Sequence, residues 1–564
     1  MKLRKTGMEG QSFVFTPLGG GREIGANAWH IEWDGISFLI DCGMHPEHLS
    51  WFALPQLARI TRLDFVIVTH AHSDHAGALP WLAKHFAVPV YMTSQTEKLL
   101  IPMMQDALKL QRRVFMIDRS GYSSVPELGT PPFSETDVQA LISRIRPLDE
   151  GFCRNGLEVR PFSSGHILGA AGLVLEKNGR RVVFTSDISP QQRESAPQLA
   201  LPEGPCDLVI CEGTRGGESP QEPSREEEEN RVLHILSRVT RNNVKVLFPS
   251  FVMERAQSVA LLVMRARREG YIPKKTPLFM AGMADSMTQR HIEELDLQID
   301  YEPITLHTWI PAMRGIKQAI IVAGSGMLNT GSGAARLAEL LLADRRREHA
   351  VIFPGYCAPM SPGGRLLARE ENANGHTCAW INEKIVRVQS REIHQAHLSS
   401  HASARELIAI IEALEAHAAI LVHGDDQALG TLAEALKKSF GQDYPVASPA
   451  NGESYSANGK AAKSLRPLPD TMEERLRRNP WDIQALKQTL EKTRGVQARN
   501  SDPLCARLQA VLHLLAKQAL RDGRLTEVRA ILRDAEGLLP KHTIFSLLDR
   551  ADEIAECCPQ NENA

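Results

Sequence analysis

The rhythm of hydrophobic and polar positions changes three times along the chain. From 13 to about 43, FVFTPLGGGREIGANAWHIEWDGISFLIDCG reads as short strands around a glycine cluster, and WHIEWDGISFLI predicts a hairpin turning at Asp34-Gly35. DFVIVTH (64–70) is an apolar run ending in a histidine, and ALPWLAKHF after it predicts the start of a helix. Further strands are predicted at Val88 to Met92, Val159 to Phe162, Gly172 to Lys177 and Arg181 to Ser186. Short strands with few helices between them imply two sheets with helices outside. From about 207 the texture differs. DLVICEG, KVLFPSF, LFMAG, AIIVAGS and AVIFPGY are brief apolar strands, alternating with helical stretches such as Glu226 to Thr240 and Arg255 to Glu269. That alternation predicts a parallel sheet covered on both faces. IVRVQSREI (385–393) and AAILVHG (418–424) then resume the strands. Residues 447–469 are small, polar and punctuated by Gly and Pro, which predicts a linker. Residues 470–558 are helical in pattern, with Leu504, Leu508, Val511, Leu512, Leu515 and Ala519 on one face.

Composition narrows the class without naming a chemistry. Across 564 residues, 43% hydrophobic and 23% charged content excludes a disordered chain. Lys and Arg number 65 against 67 Asp and Glu, so global charge gives no argument for a polyanionic partner and leaves only local basic patches. The nine cysteines form no CxxC pair, which fits a reducing compartment. The first residues lack the apolar stretch of a signal peptide, and no apolar run approaches the roughly 20 residues that cross a bilayer. The expectation is a cytoplasmic protein without membrane contact. The acidic run EPSREEEEN (222–230) reads as the solvated first turn of a helix, where carboxylates suit the dipole. Gly19 to Gly21 lack the GxGxxG context of a phosphate cradle and read as a tight turn.

The most informative text is VTHAHSDHAG, residues 68–77. His70, His72, Asp74 and His75 fall within six positions directly after an apolar strand. Imidazole nitrogens and a carboxylate suit zinc and also tolerate manganese or iron. One such cluster cannot close two metal spheres. Further candidates recur near the ends of apolar strands or in small-residue loops: His166 in SSGHILGA, Asp187 in VVFTSDIS, His401 in LSSHAS and His423 in ILVHGD. Asp41, in FLIDCG, is a candidate carboxylate behind a ligand.

HAHSDHAG resembles the HxHxDH signature of the metallo-β-lactamase fold, and the chain from about 13 to 445 resembles its β-CASP branch of nucleases. The likeness is to the catalytic subunit of the cleavage and polyadenylation specificity factor and its prokaryotic relatives. GGGREIGANAW followed by FLIDCG is similar to that group's opening, with Asp41 as its first motif. His70, His72, Asp74 and His75 match the second motif, His166 the third and Asp187 the fourth. Glu212 in CEGTRGG matches the acidic residue that opens the insertion. ERAQS (254–258) resembles a GRAQE segment, departing from it at Glu254 and Ser258, and His401 and His423 match two histidines of the return segment.

The resemblance implies an α/β fold, a metallo-β-lactamase αββα sandwich with an inserted α/β β-CASP domain and a C-terminal helical appendix. Its first part would span 10–207, the insert 208–385, the return segment 386–446, a linker 447–469 and the helical region 470–558. It also implies two divalent ions, Zn2+ or alternatively Mn2+: His70, His72 and His166 on one, Asp74, His75 and His423 on the other, and Asp187 bridging. Phosphodiester hydrolysis of RNA would use a water activated by both ions, endonucleolytically and with 5′ exonucleolytic cleavage open. His401, paired with Glu212, would protonate the leaving oxygen. Arg255, Arg215, Ser325, Arg336 and Arg365, together with Lys274 and Lys275, are candidate substrate contacts. RNA is favoured over DNA because His423 resembles the histidine of the RNA-processing branch. A DNA nuclease, a small-ester or thioester hydrolase and a non-catalytic scaffold are the alternatives. An insert of nearly 180 residues suits a polymer better than a small ester.

After 466 the Lys and Arg nearly balance the Asp and Glu, so the appendix is no basic arm and its apolar face predicts assembly or a protein partner. Truncation near residue 465 should therefore preserve metal content and short-RNA cleavage while changing oligomeric state. Size-exclusion chromatography alongside a cleavage assay checks this, and a folded, metal-loaded truncation that no longer cleaves would refute it.

Overall fold

The computed structural model describes residues 13–46, 53–117, 132–218, 222–241, 244–305 and 316–456, apart from 345, 360, 369–377, 383 and 389, together with scattered positions between 529 and 551. The α/β class is as expected. Two seven-stranded sheets pack face to face. The first runs Tyr455–Ser456, Phe13–Gly19, Ala28–Trp33, Ile36–Ile40, Phe65–Ile67, Val90–Met92, Ile145–Pro147. The second runs Val446–Ala447, Ala419–Val422, Leu208–Glu212, Arg180–Phe184, Ala171–Lys177, Leu157–Ser163, Phe152–Arg154. The Asp34-Gly35 hairpin forms as expected, with φ of 44° and 81° at the two turn residues, the conformation a two-residue turn of this hand needs.

The core between the sheets comes from their inward-facing residues, including Phe15, Trp29, Ile31, Phe38, Phe65, Phe184, Ile210 and Val422. Trp29 meets the Phe184 ring at 5.0 Å across this layer. The outer face of the first sheet carries helices Leu79–His85 and Glu135–Arg144, and that of the second Ala404–Ala413 and Asp426–Phe440. Each of these four helices follows a strand or loop that returns it to one sheet face, the αββα layering.

The insert has its own six-stranded sheet, ordered Glu302–Ile304, Leu278–Ala281, Ala319–Ala323, Lys245–Pro249, Ala350–Phe353, Ile393–Gln395, with every pairing parallel. Helices cover both faces and build two separate cores. The acidic run is the helix start that the sequence implied: Ser224 caps Arg225–Thr240 in a reciprocal box with Glu227.

Sheet membership moves three expected boundaries. Leu208–Glu212, expected to open the insert, pairs instead with Arg180–Phe184 and Ala419–Val422 in the second sheet. Ile393–Gln395, expected in the return segment, belongs to the insert sheet beside Ala350–Phe353. The start of the expected linker is structured. Tyr455–Ser456 pairs with Phe13–Gly19, Ser454 Oγ lies 2.7 Å from Thr16 Oγ1, and Asn451 Nδ2 donates to Glu23 Oε1 at 2.6 Å. Small polar residues there serve close backbone packing, not mobility. The rest of that linker and nearly all of 470–558 lie outside the described residues. Among the described residues no helix is long and apolar enough to cross a membrane.

One close approach sets the spacing of the whole first sheet's outlet. Cys42 N donates to His75 O at 2.7 Å, Gly43 N to Asn27 O at 2.9 Å and Met44 N to Ser73 O at 2.9 Å. A Cβ at Gly43 would fall 1.6 Å from Asp74 O. Gly43→Ala should therefore push the 73–75 turn away and destabilise the chain by about 3 kcal/mol or more. Urea unfolding followed by tryptophan fluorescence would measure it, and an unchanged midpoint would contradict the packing described.

Candidate metal centre

The candidate ligands leave the ends of parallel strands, where side chains of several elements converge. Asp41 follows Ile36–Ile40, the 70–75 segment follows Phe65–Ile67, Asp187 follows Arg180–Phe184, Glu212 ends Leu208–Glu212, and His423 follows Ala419–Val422. The 68–72 stretch leaves strand geometry, and His72 caps the short helix Ser73–Ala76, so His70, His72 and Asp74 curl round a point instead of lining a strand. Two of these residues, Asp41 at φ 59° and His423 at 53°, and Ser186 at 56° just before Asp187, hold left-handed backbone, a concentration of strain typical of functional loops.

The structure brings together all seven expected metal ligands. Ligand atoms of His70, His72, His166 and Asp187 lie within 4.8 Å of one another, and so do those of Asp74, His75 and His423. A third such group joins Asp187 and His423 to Glu212 and His401. Asp187 is the hub. Its Oδ2 stands 3.3 Å from His75 Nε2, 3.5 Å from His166 Nε2 and 3.6 Å from His70 Nε2, and its Oδ1 stands 3.1 Å from His423 Nδ1.

The outward ring nitrogens identify the inward ones. His166 Nδ1 faces the Ser400 carbonyl at 2.9 Å, and a carbonyl only accepts, so Nδ1 carries the proton and Nε2 is bare. Thr69 Oγ1 spends its hydrogen on Asp41 Oδ2 at 2.7 Å and so accepts from His70 Nδ1 at 3.1 Å, which leaves His70 Nε2 bare. His75 Nδ1 donates to Asp41 Oδ2 at 2.7 Å, again with Nε2 turned inward. His72 Nδ1 then stands 3.1 Å from His70 Nε2 and 3.2 Å from His166 Nε2. A single proton at that nitrogen cannot satisfy both lone pairs. Buried lone pairs converging beside a carboxylate are the donor set a borderline divalent cation requires. The residues present fit the metal.

The electrostatics divide the centre in two. Burial holds His70, His72 and His166 below the ordinary imidazole range, so they stay neutral ligands. Burial acts the same way on His75 and His423, but Asp187 and its neighbouring carboxylates overcome it and raise both, His423 to about 10. Asp74 and Asp187 are themselves held well below the usual carboxylate range despite burial, by His75 and His423. This half is a field built for positive charge.

His401 sits differently. Its Nδ1 is 3.0 Å from both Glu212 oxygens, and its side chain is 20% exposed, whereas His70, His75, His166, Asp187 and His423 are buried. Burial alone would lower this ring, but Glu212 and Asp187 raise it net. Glu212 is fixed in turn by Ile188 N at 2.8 Å.

The expected substrate contacts divide by location. Arg255 is 7% exposed, with Nη2 at 3.5 Å from Ser400 Oγ and 3.8 Å from Glu254 Oε2, so it presents no face to a substrate in this arrangement. Arg215 is also committed: it pairs with Glu218 and Glu222 and donates to His401 O at 3.1 Å. Lys274 and Lys275 precede Leu278–Ala281 and so lie at the edge of the insert sheet opposite the strand ends that face the metal domain. Ser325, Arg336 and Arg365 follow the strand ends on the near edge, with Ser325 Oγ accepting from Asn329 N at 2.9 Å.

Three supporting residues were not singled out from sequence. Thr69 couples Asp41 to His70. Thr214 Oγ1 lies 2.9 Å from His423 Nδ1 and 3.0 Å from its carbonyl. Asn27 Nδ2 lies 2.9 Å from His75 Nε2, and Asn27 N donates to Asp74 O at 2.9 Å. The signal available was position alone, since Thr69 adjoins His70 and Thr214 follows Glu212 by two.

Comparison with known proteins agrees with this geometry. Residues 21–207 match the metallo-beta-lactamase superfamily, and residues 385–449 match the Zn-dependent metallo-hydrolase RNA specificity domain. The chain is 25% identical over 447 residues to cleavage and polyadenylation specificity factor 73 of Drosophila melanogaster, covering 76% of this chain and 62% of that protein. An endoribonuclease of Eremothecium gossypii is 24% identical over 83% of this chain and 63% of its own length. A ribonuclease of Thermus thermophilus is 28% identical over 76% of this chain and 99% of its own length. The chain thus spans about three fifths of the two eukaryotic relatives. Matched on both sides of the insert, and with its candidate ligands gathered at one point, the chain carries a metallo-beta-lactamase superfamily domain and a Zn-dependent metallo-hydrolase RNA specificity domain, consistent with the β-CASP nuclease family.

Proposed function

We propose that this chain is a metal-dependent ribonuclease that hydrolyses phosphodiester bonds within RNA, with His70, His72, His166, Asp74, His75, His423 and bridging Asp187 holding two divalent ions, most simply zinc. The observation that carries the reading is the convergence of bare imidazole nitrogens on the Asp187 carboxylate, in a chain whose return segment matches an RNA specificity domain. When bound, the ions would supply an activated water and neutralise charge on the phosphate.

The chain's own groups do the rest. Asp41 and Thr69 lock the ring orientations of His70 and His75 before any ion arrives, and the Ser400 carbonyl does so for His166. Glu212 keeps the Nδ1 proton of His401 in place, so its Nε2 edge is the one available to a leaving oxygen. A ribose oxygen leaves poorly until protonated, and an imidazole held protonated by a dedicated carboxylate is suited to that transfer. Two divalent ions would offset the negative charge that Asp41, Asp74 and Asp187 bring to the centre, while Glu212 is paired with His401. On the near edge of the insert, Ser325, Arg336 and Arg365 are the proposed phosphate contacts, and the relatives' assembly in RNA processing makes a protein partner for the region after 470 part of the same reading.

Two measurements test the proposal. Elemental analysis of protein purified without added metal should approach two equivalents, and Asp187→Ala should reduce both together; full activity at one equivalent or none would end the two-ion assignment. His401→Ala should keep both ions and RNA affinity yet slow cleavage by roughly 10²- to 10⁴-fold. The deficit should shrink on RNA with a 3′-bridging phosphorothiolate, whose sulfur leaves without a proton. Equal impairment on both substrates would count against proton donation by His401.

A further inference from the structure

The second helix of the insert, Arg255–Arg268, begins on an unusual residue. Glu254 caps it with φ 68° and ψ −55°, a conformation that favours glycine, and its side chain is only 1% exposed. A long charged side chain held in strained backbone and out of water needs a compensating reason.

Its contacts supply one. Glu254 Oε1 lies 2.9 Å from Arg193 Nη1 and accepts from Ser258 Oγ at 2.6 Å and Ser195 Oγ at 3.1 Å. Arg193 and Ser195 belong to the metal domain, on the segment just after Asp187, whereas Glu254 and Ser258 belong to the insert. Each second partner then reaches a loop of the candidate centre. Arg193 Nη2 donates to the carbonyls of Gly165 and His166, the latter at 2.9 Å. Arg225 donates through Nη2 to Ser258 Oγ at 3.1 Å and through Nη1 to Ser399 O at 3.2 Å, two residues before His401. Arg255 reaches Ser400 Oγ, and the Ser400 carbonyl holds the His166 ring. One buried anion therefore stands among three guanidinium groups, and those groups grip the backbone of both the 165–166 and the 399–400 loops.

We propose that Glu254 is a positioning residue that couples the insert to the metal centre: by gathering Arg193, Arg225 and Arg255 it sets the loops carrying His166 and His401 against each other. The insert is then more than a cover over the centre, because part of the centre's geometry is fixed from its helix. Removing the carboxylate takes the ion-pair partner from Arg193 and Arg255 in a dry site, while Arg225 keeps Glu229 at 2.9 Å, and the unpaired guanidinium groups must separate, taking the loops they hold with them. The coupling rests on the metal-centre reading above.

The test uses the full chain and cobalt(II), whose visible spectrum reports the ligand geometry of a site otherwise suited to zinc. Glu254→Gln should retain the far-ultraviolet dichroism of the parent, weaken cobalt binding by about 10- to 100-fold and alter the cobalt spectrum. Ser258 Oγ sits one helical turn on and touches Ser195 Oγ at 2.9 Å as well as Arg225, so a carboxylate placed there reaches the same guanidinium groups. The double variant Glu254→Gly with Ser258→Glu should therefore recover affinity and spectrum. In the unmodified chain, cobalt loading should slow amide exchange across 254–258 as well as across 164–167 and 399–402. A folded Glu254→Gln with parental affinity and spectrum would overturn the coupling, as would a folded double variant without recovery. Should the variants fail to fold, exchange at 254–258 that ignores cobalt in the unmodified chain overturns it equally. Failure of the unmodified chain to bind cobalt would remove the metal-centre reading and this coupling together, which separates that failure from the others.

Discussion

The Asp187 carboxylate, buried where the two sheets meet and with five imidazoles within 3.9 Å, is the constraint on which the arrangement turns. Desolvating a carboxylate is costly, and neutral rings alone do not repay it, because each brings a lone pair as readily as a proton. The surroundings resolve this asymmetrically. On one side, His70 and His166 have their protons drawn outward by Thr69 and the Ser400 carbonyl, so they offer lone pairs inward. On the other, His75 and His423 are pushed towards their charged forms by Asp187 and Asp74. Divalent ions held there would take the place of that positive charge, with the same rings as their ligands, so that metal binding and proton release would be one equilibrium.

That equilibrium depends on orientations fixed well outside the ligands. Asp41 makes two bonds to Thr69 and one to His75, and it adopts left-handed backbone to do so. The glycine beside it, Gly43, admits the Asp74 carbonyl at a distance no side chain would tolerate. Gly20 plays the matching part for the second sheet: its carbonyl accepts from His423 N at 2.8 Å, and a Cβ on it would lie 2.0 Å from Asn27 Oδ1. The glycine cluster near residue 20 is thus the tight turn that its sequence implied, and the turn brings the opening strand of one sheet to the metal-side end of the other.

What the chain discloses in sequence follows from how local each signal is. The Asp34-Gly35 hairpin, the acidic helix start at 222–230 and the apolar strands within 64–70, 181–186, 207–213 and 418–424 are written in a few consecutive residues, and each is found where its text lies. The grouping of His70, His72, Asp74 and His75 was legible for the same reason. Sheet membership was less so. Leu208–Glu212 is an apolar run and Ile393–Gln395 a short, mostly polar one, and only their partners, more than 150 residues away in one case, decide which sheet each enters. Arg255 and Arg215 looked like phosphate contacts because a basic residue reads as exposed by default. Their burial against Glu254, Glu218 and Glu222 depends on carboxylates that the linear text does not place.

The segment from Ile393 to Ser403 shows why those long-range pairings matter to chemistry. It starts as the edge strand of the insert sheet and ends by capping a metal-domain helix through Ser403, with Ala402 N donating to Ile188 O at 2.8 Å. Within these residues the chain passes from the all-parallel insert sheet to the parallel half of the mixed second sheet, and both direct their strand ends towards it. His401 lies on this crossing, held by Glu212 from the metal domain while Arg225 and Arg255 of the insert hold its two predecessors. A side chain placed there cannot keep its position if the two domains shift relative to each other. The proposed proton donor is thereby tied to domain closure, while the ligands at 70–75, rooted wholly in the first sheet, are not. His166, whose ring faces the Ser400 carbonyl on this same crossing, shares that tie, so the seating of the insert bears on part of the proposed metal site as well as on the proposed proton donor.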